Sequence, residues 1–211
     1  MPEATARRNR PYAPRLLPEQ RREQLLDIVL DVIDTDGVAS VSMDAVARRA
    51  GVTRPVVYSQ FADANAMLRA SLDREEQRAL AQILDAMPAP GDDDVAGAFH
   101  HLFDAYLGAV VEAPQRWRSI FMIADSVTPS LYKRVARVRA RLVREVEAAL
   151  GNSRTGDVYA DPELLAHHLV SALWEAGRLL LVSPSQFTHG RLLRSLDAMF
   201  TAIAAHSMRA R

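Results

Sequence analysis

The segment Ser42 to Phe61, SMDAVARRAGVTRPVVYSQF, constrains this chain more than any other: it reads as two short helices around a glycine turn. Ser42 is a good N-cap for the first helix, because its hydroxyl can accept a bond from a free N–H in the first turn. Val46 and Ala47 then face inward. Gly51 follows Ala50, where a chain leaving a helix often turns left-handed, a conformation that glycine adopts at little cost. Thr53 is placed to cap the second helix, and Pro55 stands in its first turn, where a missing N–H does no harm. Val52, Val57 and Phe61 supply the apolar contacts that lock the second helix onto the first. This spacing predicts a helix-turn-helix, a motif that presents the N-terminal residues of its second helix to the DNA major groove.

The rest of the chain reads as helices punctuated by proline and glycine. A first helix is expected from Pro18 to Asp36-Gly37, with Leu26, Val29, Leu30 and Ile33 at i, i+3, i+4, i+7. Asp27, Asp31 and Asp34 share another face of it, which should point away from DNA. The helix-turn-helix occupies about 43–50 and 54–60. Asp63 is the expected N-cap of a long helix reaching Met87, and the segment from Pro88 to Asp94 interrupts the pattern. Helices over 95–112 and 114–124 follow, then one from Pro129 to Leu150 with Thr128 as its cap. Asp161-Pro162 repeats the cap-proline signature and opens a helix to Val182, and Ser183-Pro184 separates it from a last helix over 186–207. No alternating, turn-bounded segment reads as a strand. The expected fold is all-α with nine helices.

Composition narrows the chemistry. The 211 residues include no cysteine, which excludes disulfides, thiolate metal sites and cysteine nucleophiles. The arginine-rich start lacks a following apolar segment, so no secretory leader is expected, and no apolar run of about 18 residues suggests a membrane span. A soluble, cytoplasmic protein is the expectation. Net charge is zero, but within residues 1–22 six arginines (Arg7, Arg8, Arg10, Arg15, Arg21 and Arg22) outweigh Glu3 and Glu19, for a local charge of +4. Such an arm can neutralise phosphates even in a neutral protein.

Arg22, Leu26, Gly37, Ser42-Met43, Val46-Ala47, Ala50-Gly51-Val52-Thr53, Val57-Tyr58, Phe61 and Leu68 together resemble the DNA-binding domain of TetR-family transcriptional regulators. The resemblance spans about 45 residues. It implies a basic arm over 1–17, a helix-turn-helix domain over 18–65, and a regulatory domain over 66–211 that binds a small ligand and dimerises. It also implies a homodimer on a palindromic double-stranded operator, most simply a repressor released by a small-molecule effector, with no enzymatic activity and no cofactor. Helices 8 and 9 suit the dimer role. Leu165, Leu169, Ala172, Leu173, Ala176 and Leu180 make one apolar stripe, and Leu192, Leu193, Leu196, Met199, Phe200 and Ile203 another; two such hairpins can pair as a four-helix interface, or the stripes can fill the protomer's own core.

Among the residues expected at DNA, Arg54 can reach a guanine edge with two hydrogen bonds, and Pro55 and Val56 can touch a thymine methyl. Tyr58 resembles the family's phosphate-contacting tyrosine, and Ser42 and Thr53 can bond phosphate directly. Ser59 and Gln60 replace an aromatic and a histidine frequent in the family. Arg48 and Arg49 can face the backbone or stand solvated. Ala64 stands where the family commonly has a lysine, so one cationic contact is absent; the helix N-terminus can still donate, and the arm is expected to take over part of that role.

For the ligand pocket, the aromatic candidates are Phe99, Phe103, Tyr106, Trp117, Phe121 and Trp174, each of which can equally be ordinary core. Arg134, Arg137, Arg141 and Arg144 form a stripe that either attracts an anionic ligand, stands solvated, or pairs with Asp73, Glu75 and Glu76. His100 with Asp104, and the pairs His100-His101 and His167-His168, raise a metal site, but adjacent histidines diverge by about 100° on a helix, and no metal site is expected. A second reading of the whole chain is a helical ligand-binding or scaffold protein with degenerate DNA binding, with Arg54 and Tyr58 as the discriminating residues.

Overall fold

The computed structural model describes residues 16–89, 94–124, 129–151 and 161–209, with side chains except at 123–124, 129–132 and 204–209. The basic arm, including Arg7, Arg8, Arg10 and Arg15, lies outside the described residues, as do most of the 88–94 interruption, the Thr128 cap and the loop with Gly156. Among the described residues there is no strand. The helices are α1 (Pro18–Asp36), α2 (Met43–Arg49), α3 (Arg54–Tyr58), α4 (Ala64–Asp85), α5 (Val95–Glu112), α6 (Pro114–Ala124), α7 (Pro129–Gly151), α8 (Pro162–Val182) and α9 (His189–Arg209), with a 3₁₀ turn at Val38–Ser40.

Side-chain caps explain four of the helix starts. Ala45 N–H donates to Ser42 Oγ at 3.1 Å, Ala66 N–H to Asp63 Oδ1 at 2.6 Å, Gly97 N–H to Asp94 Oδ1 at 2.9 Å and Leu164 N–H to Asp161 Oδ1 at 2.9 Å. Each satisfies a donor that the helix leaves open, for about 1 kcal/mol. Two of the boundaries that differ from expectation have a visible cause. α3 ends at Tyr58 because Gln60 N–H closes a tighter turn onto Val57 O at 3.0 Å, and Ser59 Oγ donates to Val56 O at 2.7 Å. α9 starts at His189 because Gln186 and Phe187 N–H both turn back to Ser183 O, leaving Thr188 as the cap that accepts from Arg191 N–H.

The chain divides into two compact units between Ser71 and Leu72, within α4. The first unit has its own core, in which Leu25, Val29 and Ile33 of α1 pack with Val46 of α2, Val57 of α3 and Met67 of α4, all fully buried. The second has a larger core built around Phe99, Leu102, Phe103 and Leu107 of α5, Leu150 of α7 and Leu169 of α8. Such side chains each contribute about 1.5–3 kcal/mol on burial.

The stripes expected to form a dimer interface belong to this second core. Leu165, Leu169, Leu173, Ala176 and Leu180 of α8, with Leu192, Leu196 and Phe200 of α9, are buried within the protomer; Ala172, Leu193, Met199 and Ile203 pack against them. The i, i+3/i+4 pattern reports burial of a face and not what buries it.

Candidate nucleic-acid interface and apolar cavity

In the first unit, the turn between α2 and α3 is made by the chain's own backbone. Val52 N–H donates to Ala47 O at 3.0 Å and Gly51 N–H to Arg48 O at 3.3 Å, with Gly51 at φ +66. These two bonds form a Schellman motif, which takes up carbonyls that the end of α2 would leave open. Val52 then packs on the core beside Ala47. Thr53 departs from its expected role, for its side chain makes no cap bond. The second position of α3 is Pro55, which has no N–H, and the next donor, Val56 N–H, goes to Thr53 O at 3.0 Å. No donor is left for the Thr53 hydroxyl.

The far end of α3 is held by Arg22 of α1. Its guanidinium donates to Gln60 O at 2.8 Å and lies 4.4 Å from the centroid of the buried Phe61 ring. With Val57 buried beneath, the outer side of α3 is left exposed: Thr53, Arg54, Pro55, Tyr58 and Ser59 are all exposed, and Val56 and Gln60 are half-buried. Tyr58 is 56% exposed, unusual for a large aromatic with no partner covering it. Ser42, exposed at the start of α2, uses an oxygen lone pair for its cap and keeps its O–H to donate.

The arginines divide. Arg48 is exposed and has no ion pair among the described residues. Arg49 is engaged within the unit, 2.6 Å from Asp31 and 2.8 Å from Asp36. Arg54 forms an ion pair with Asp44, although its side chain stays 66% exposed. Neither pairing shows in a local sequence pattern, since the partners lie ten or more residues away on other elements. The start of α4 has one donor taken by the Asp63 carboxylate, the expected N-cap.

In the second unit, α4, α5, α6, α7 and α8 line a pocket whose space, open solvent at its mouth included, comes to about 870 Å³. Its wall is almost wholly apolar. Of the six aromatic candidates, Tyr106, Trp117 and Trp174 line it; Phe99, Phe103 and Phe121 do not. Phe99 stacks on Phe200 of α9 with centroids 4.6 Å apart, and Phe103 meets the same ring edge-on at 6.2 Å, so these two face α9. Phe121 packs edge-on against Trp174 at 4.8 Å, behind the wall. Trp117 is fixed by its Nε1–H donating to Ala109 O at 3.0 Å. Tyr106 Oη is buried without a hydrogen-bond partner and abuts Gly177 of α8. Burial pushes the pKa of that phenol well above its usual value by penalising the phenolate.

The arginine stripe of α7 is not uniform. Arg134 pairs with Asp73 and Glu76 of α4, and Arg141 lies 3.8 Å from Glu145, while Arg137 and Arg144 are exposed. Glu75, expected to share in that pairing, is instead buried against other arginines: it accepts from Arg74 at 2.6 Å, Arg116 of α6 at 2.8 Å and Arg78 at 3.3 Å. His100 lies 2.8 Å from Asp197 and His189 2.8 Å from Asp104, two crossed pairs between α5 and α9. No group of three or more metal-ligating side chains comes together among the described residues, and no helix among them is long and apolar enough to cross a membrane.

The family model for the bacterial regulatory proteins of the tetR family matches residues 25–70, the core of α1 through the first turns of α4. Residues 25–70, about a fifth of the chain, are thus similar to the tetR family of bacterial regulatory proteins. Over 43 residues it is 42% identical to the HTH-type transcriptional regulator SrpR of Pseudomonas putida, a match spanning 20% of this chain and 20% of that protein. The chain thus covers about a fifth of that curated relative's length. The TetR-like fold extends further than the sequence likeness. A TetR-like transcriptional regulator from Rhodococcus sp. RHA1 superposes with a TM-score of 0.74 at 22% identity, over 93% of this chain and 100% of that one. SmeT, the repressor of the Stenotrophomonas maltophilia multidrug efflux pump SmeDEF, is similar in its complex with triclosan, with a TM-score of 0.68 at 22% identity over 87% and 90% of the chains.

Proposed function

We propose that this chain is a TetR-family, ligand-responsive DNA-binding regulator, a repressor that leaves its operator when a small molecule fills the cavity of the second unit. The observation that carries the proposal is the exposed outer side of α3, with Arg54, Pro55, Tyr58 and Ser59 held outward over a fully buried Val57. In this reading Arg54 and Val56 meet base edges, while Tyr58, Ser42, Thr53 and Arg48 contact phosphates. The Arg54–Asp44 pair does not forbid this. An exposed ion pair is worth about 0–1 kcal/mol, whereas a bidentate guanine contact gives about 1–3 kcal/mol of discrimination. Arg49, shared between two aspartates, is the weaker candidate.

The chain acts as a cytoplasmic homodimer through α8 and α9, so that two reading helices meet half-sites about 34–36 Å apart on a palindromic operator. The surface of α8 left for a partner carries Leu164, His168, Ser171, Glu175 and Val182, all exposed at helical spacing. The effector favours one arrangement of the dimer over the other, as any ligand must to shift an equilibrium. α4 fits the transmitting role, since Leu72, Ala79 and Ile83 wall the cavity and Ala64 to Ser71 of the same helix belong to the first unit. SmeT, of similar fold, forms a complex with triclosan, which supports a cavity ligand here.

A second reading, a ligand-binding protein with degenerate DNA binding, draws support from Ala64 and from the two arginines already paired to aspartates. Selection of bound fragments from random DNA, followed by titration of the selected operator, separates the two. Under the proposal, Tyr58→Phe weakens binding to all sequences alike, and Arg54→Ala mainly relaxes preference at one base pair. Recovery of no enriched sequence, or equal effects of both changes on operator and random DNA, sinks the reading of α3 as a sequence reader.

A further inference from the structure

We infer that the cavity takes a single-chain apolar molecule ending in a carboxylate, with the carboxylate seated on Arg139. The inference rests on the effector reading above and assigns its ligand a chemical class. Three charged side chains stand on the wall: Glu76, Arg134 and Arg139. Glu76 and Arg134 pair with each other, and Arg134 pairs with Asp73 as well, so these charges are satisfied within the protein. Arg139 is different. Among the described residues it has no carboxylate partner: its Nη2 donates to Ser171 Oγ at 3.3 Å, and its guanidinium lies 5.1 Å from the centroid of Trp174.

A guanidinium carries five N–H donors, and a single long bond to a hydroxyl leaves most of them to give. The contact with Trp174 fixes where they are presented. Arg139 is half-buried, which places it where the wall meets solvent. An anion there keeps part of its hydration and still gains charge-assisted bonds. Beyond it the wall is aliphatic and aromatic, with Ile83, Leu102, Leu142, Val170, Leu173 and Trp117 among its residues. No other polar side chain on that wall invites a second head group: Tyr106 Oη, the one buried hydroxyl without a partner among the described residues, is turned against Gly177. One guanidinium without a carboxylate partner among the described residues, at the edge of an apolar chamber, matches one anionic head on an apolar tail. A tail of methylenes gains about fourfold in affinity for each one buried, until the chamber is full.

The test uses a built-in reporter. Both tryptophans of the chain, Trp117 and Trp174, line the cavity, and the second also touches Arg139. Their fluorescence is titrated in the full-length protein with decanoate, decanol and decylamine, then with straight-chain carboxylates from hexanoate to dodecanoate. Decanoate is expected to bind about tenfold more tightly than decanol, the effect of one added charge-assisted contact, with decylamine weakest. Arg139→Gln should bring decanoate down to the decanol level and leave decanol unchanged, while Arg139→Lys retains part of the preference; a thermal midpoint equal to wild type shows that the variants are folded. Decanol binding as tightly as decanoate, an Arg139→Gln loss shared by both, or decylamine binding best overturns the carboxylate assignment while leaving the cavity as a binding site. No fluorescence response to any of the three overturns the cavity reading itself, and the assignment with it. The comparison of decanoate with decanol in the wild-type protein decides the class even where a variant fails to fold.

Discussion

Gly177 sits where α8 passes Tyr106, and replacing it with alanine tests how closely that contact is built. A Cβ added there would overlap Tyr106 Oη and stand 2.9 Å from Phe121 Cζ and 3.1 Å from Tyr106 Cζ. Neither ring can retreat freely, since Phe121 is packed against Trp174 and Trp117, and Tyr106 lies edge-on to Trp117 at 5.2 Å. Overpacking of this kind costs about 1–3 kcal/mol. Alanine recovers up to about 1 kcal/mol through its better helix propensity, so Gly177→Ala should destabilise by about 1–2 kcal/mol. Tyr106→Phe removes the overlapping oxygen, which is also a buried hydroxyl without a partner, and should itself stabilise by about 1 kcal/mol. In that background the added methyl still meets Phe121 but no longer meets Oη. The double variant should therefore show favourable coupling of about 1–2 kcal/mol. Urea unfolding followed by the fluorescence of Trp117 and Trp174 reports the unit that holds all these residues, at one fixed protein concentration because any self-association shifts midpoints. If Gly177→Ala unfolds at the wild-type midpoint, or costs as much in the Tyr106→Phe background as in the wild-type one, the close-approach argument is wrong.

Arg22→Ala removes both the bond to Gln60 O and the stacking over Phe61, and should lower the stability of the first unit by about 1–2 kcal/mol, seen as a lower thermal midpoint and weaker operator binding. Glu75→Gln leaves the arginines gathered around a 2% exposed carboxylate without its charge, and should cost about 3 kcal/mol in urea unfolding, far more than Glu145→Gln at the exposed pair with Arg141. Tyr106 also sets an alkaline limit. Its raised pKa means that the folded chain keeps a proton that the unfolded chain releases near pH about 10, so its contribution is intact below that pH. Above it, stability should fall by about 1.4 kcal/mol per pH unit, and Tyr106→Phe should remove that part of the slope in unfolding curves taken across the alkaline range.

The helix-turn-helix geometry was largely legible because its determinants are local. Ser42, Gly51, Pro55 and Asp63 act on neighbours within a few positions, so their roles follow from residue type and spacing. Even there one inference failed: Thr53 looks like a cap, but Pro55 and the closure of Val56 N–H onto Thr53 O leave its hydroxyl nothing to accept. The cavity was half legible. The six aromatics lie on α5, α6 and α8, three of the five helices that wall it, but whether a ring lines a chamber or fills the core behind it depends on which helix it meets, and Phe99 and Phe103 meet α9.

The same division runs through the charges. Spacing alone showed Arg134, Arg137, Arg141 and Arg144 as one stripe on α7, yet only the folded chain distinguishes Arg134, paired across to α4, from its exposed neighbours. It also singles out Arg139, which no pattern had marked, and ties Arg54 to Asp44 and Glu75 to Arg116. The sequence by itself determined the helices, most of their ends, and the glycine turn that places α3 outward, because hydrogen-bond caps and apolar periodicity act within a turn or two of the chain. The tertiary structure decided which apolar stripes became core, where the chamber opened and which charges found partners, because those depend on side chains brought together from distant helices, a relation that no local spacing encodes.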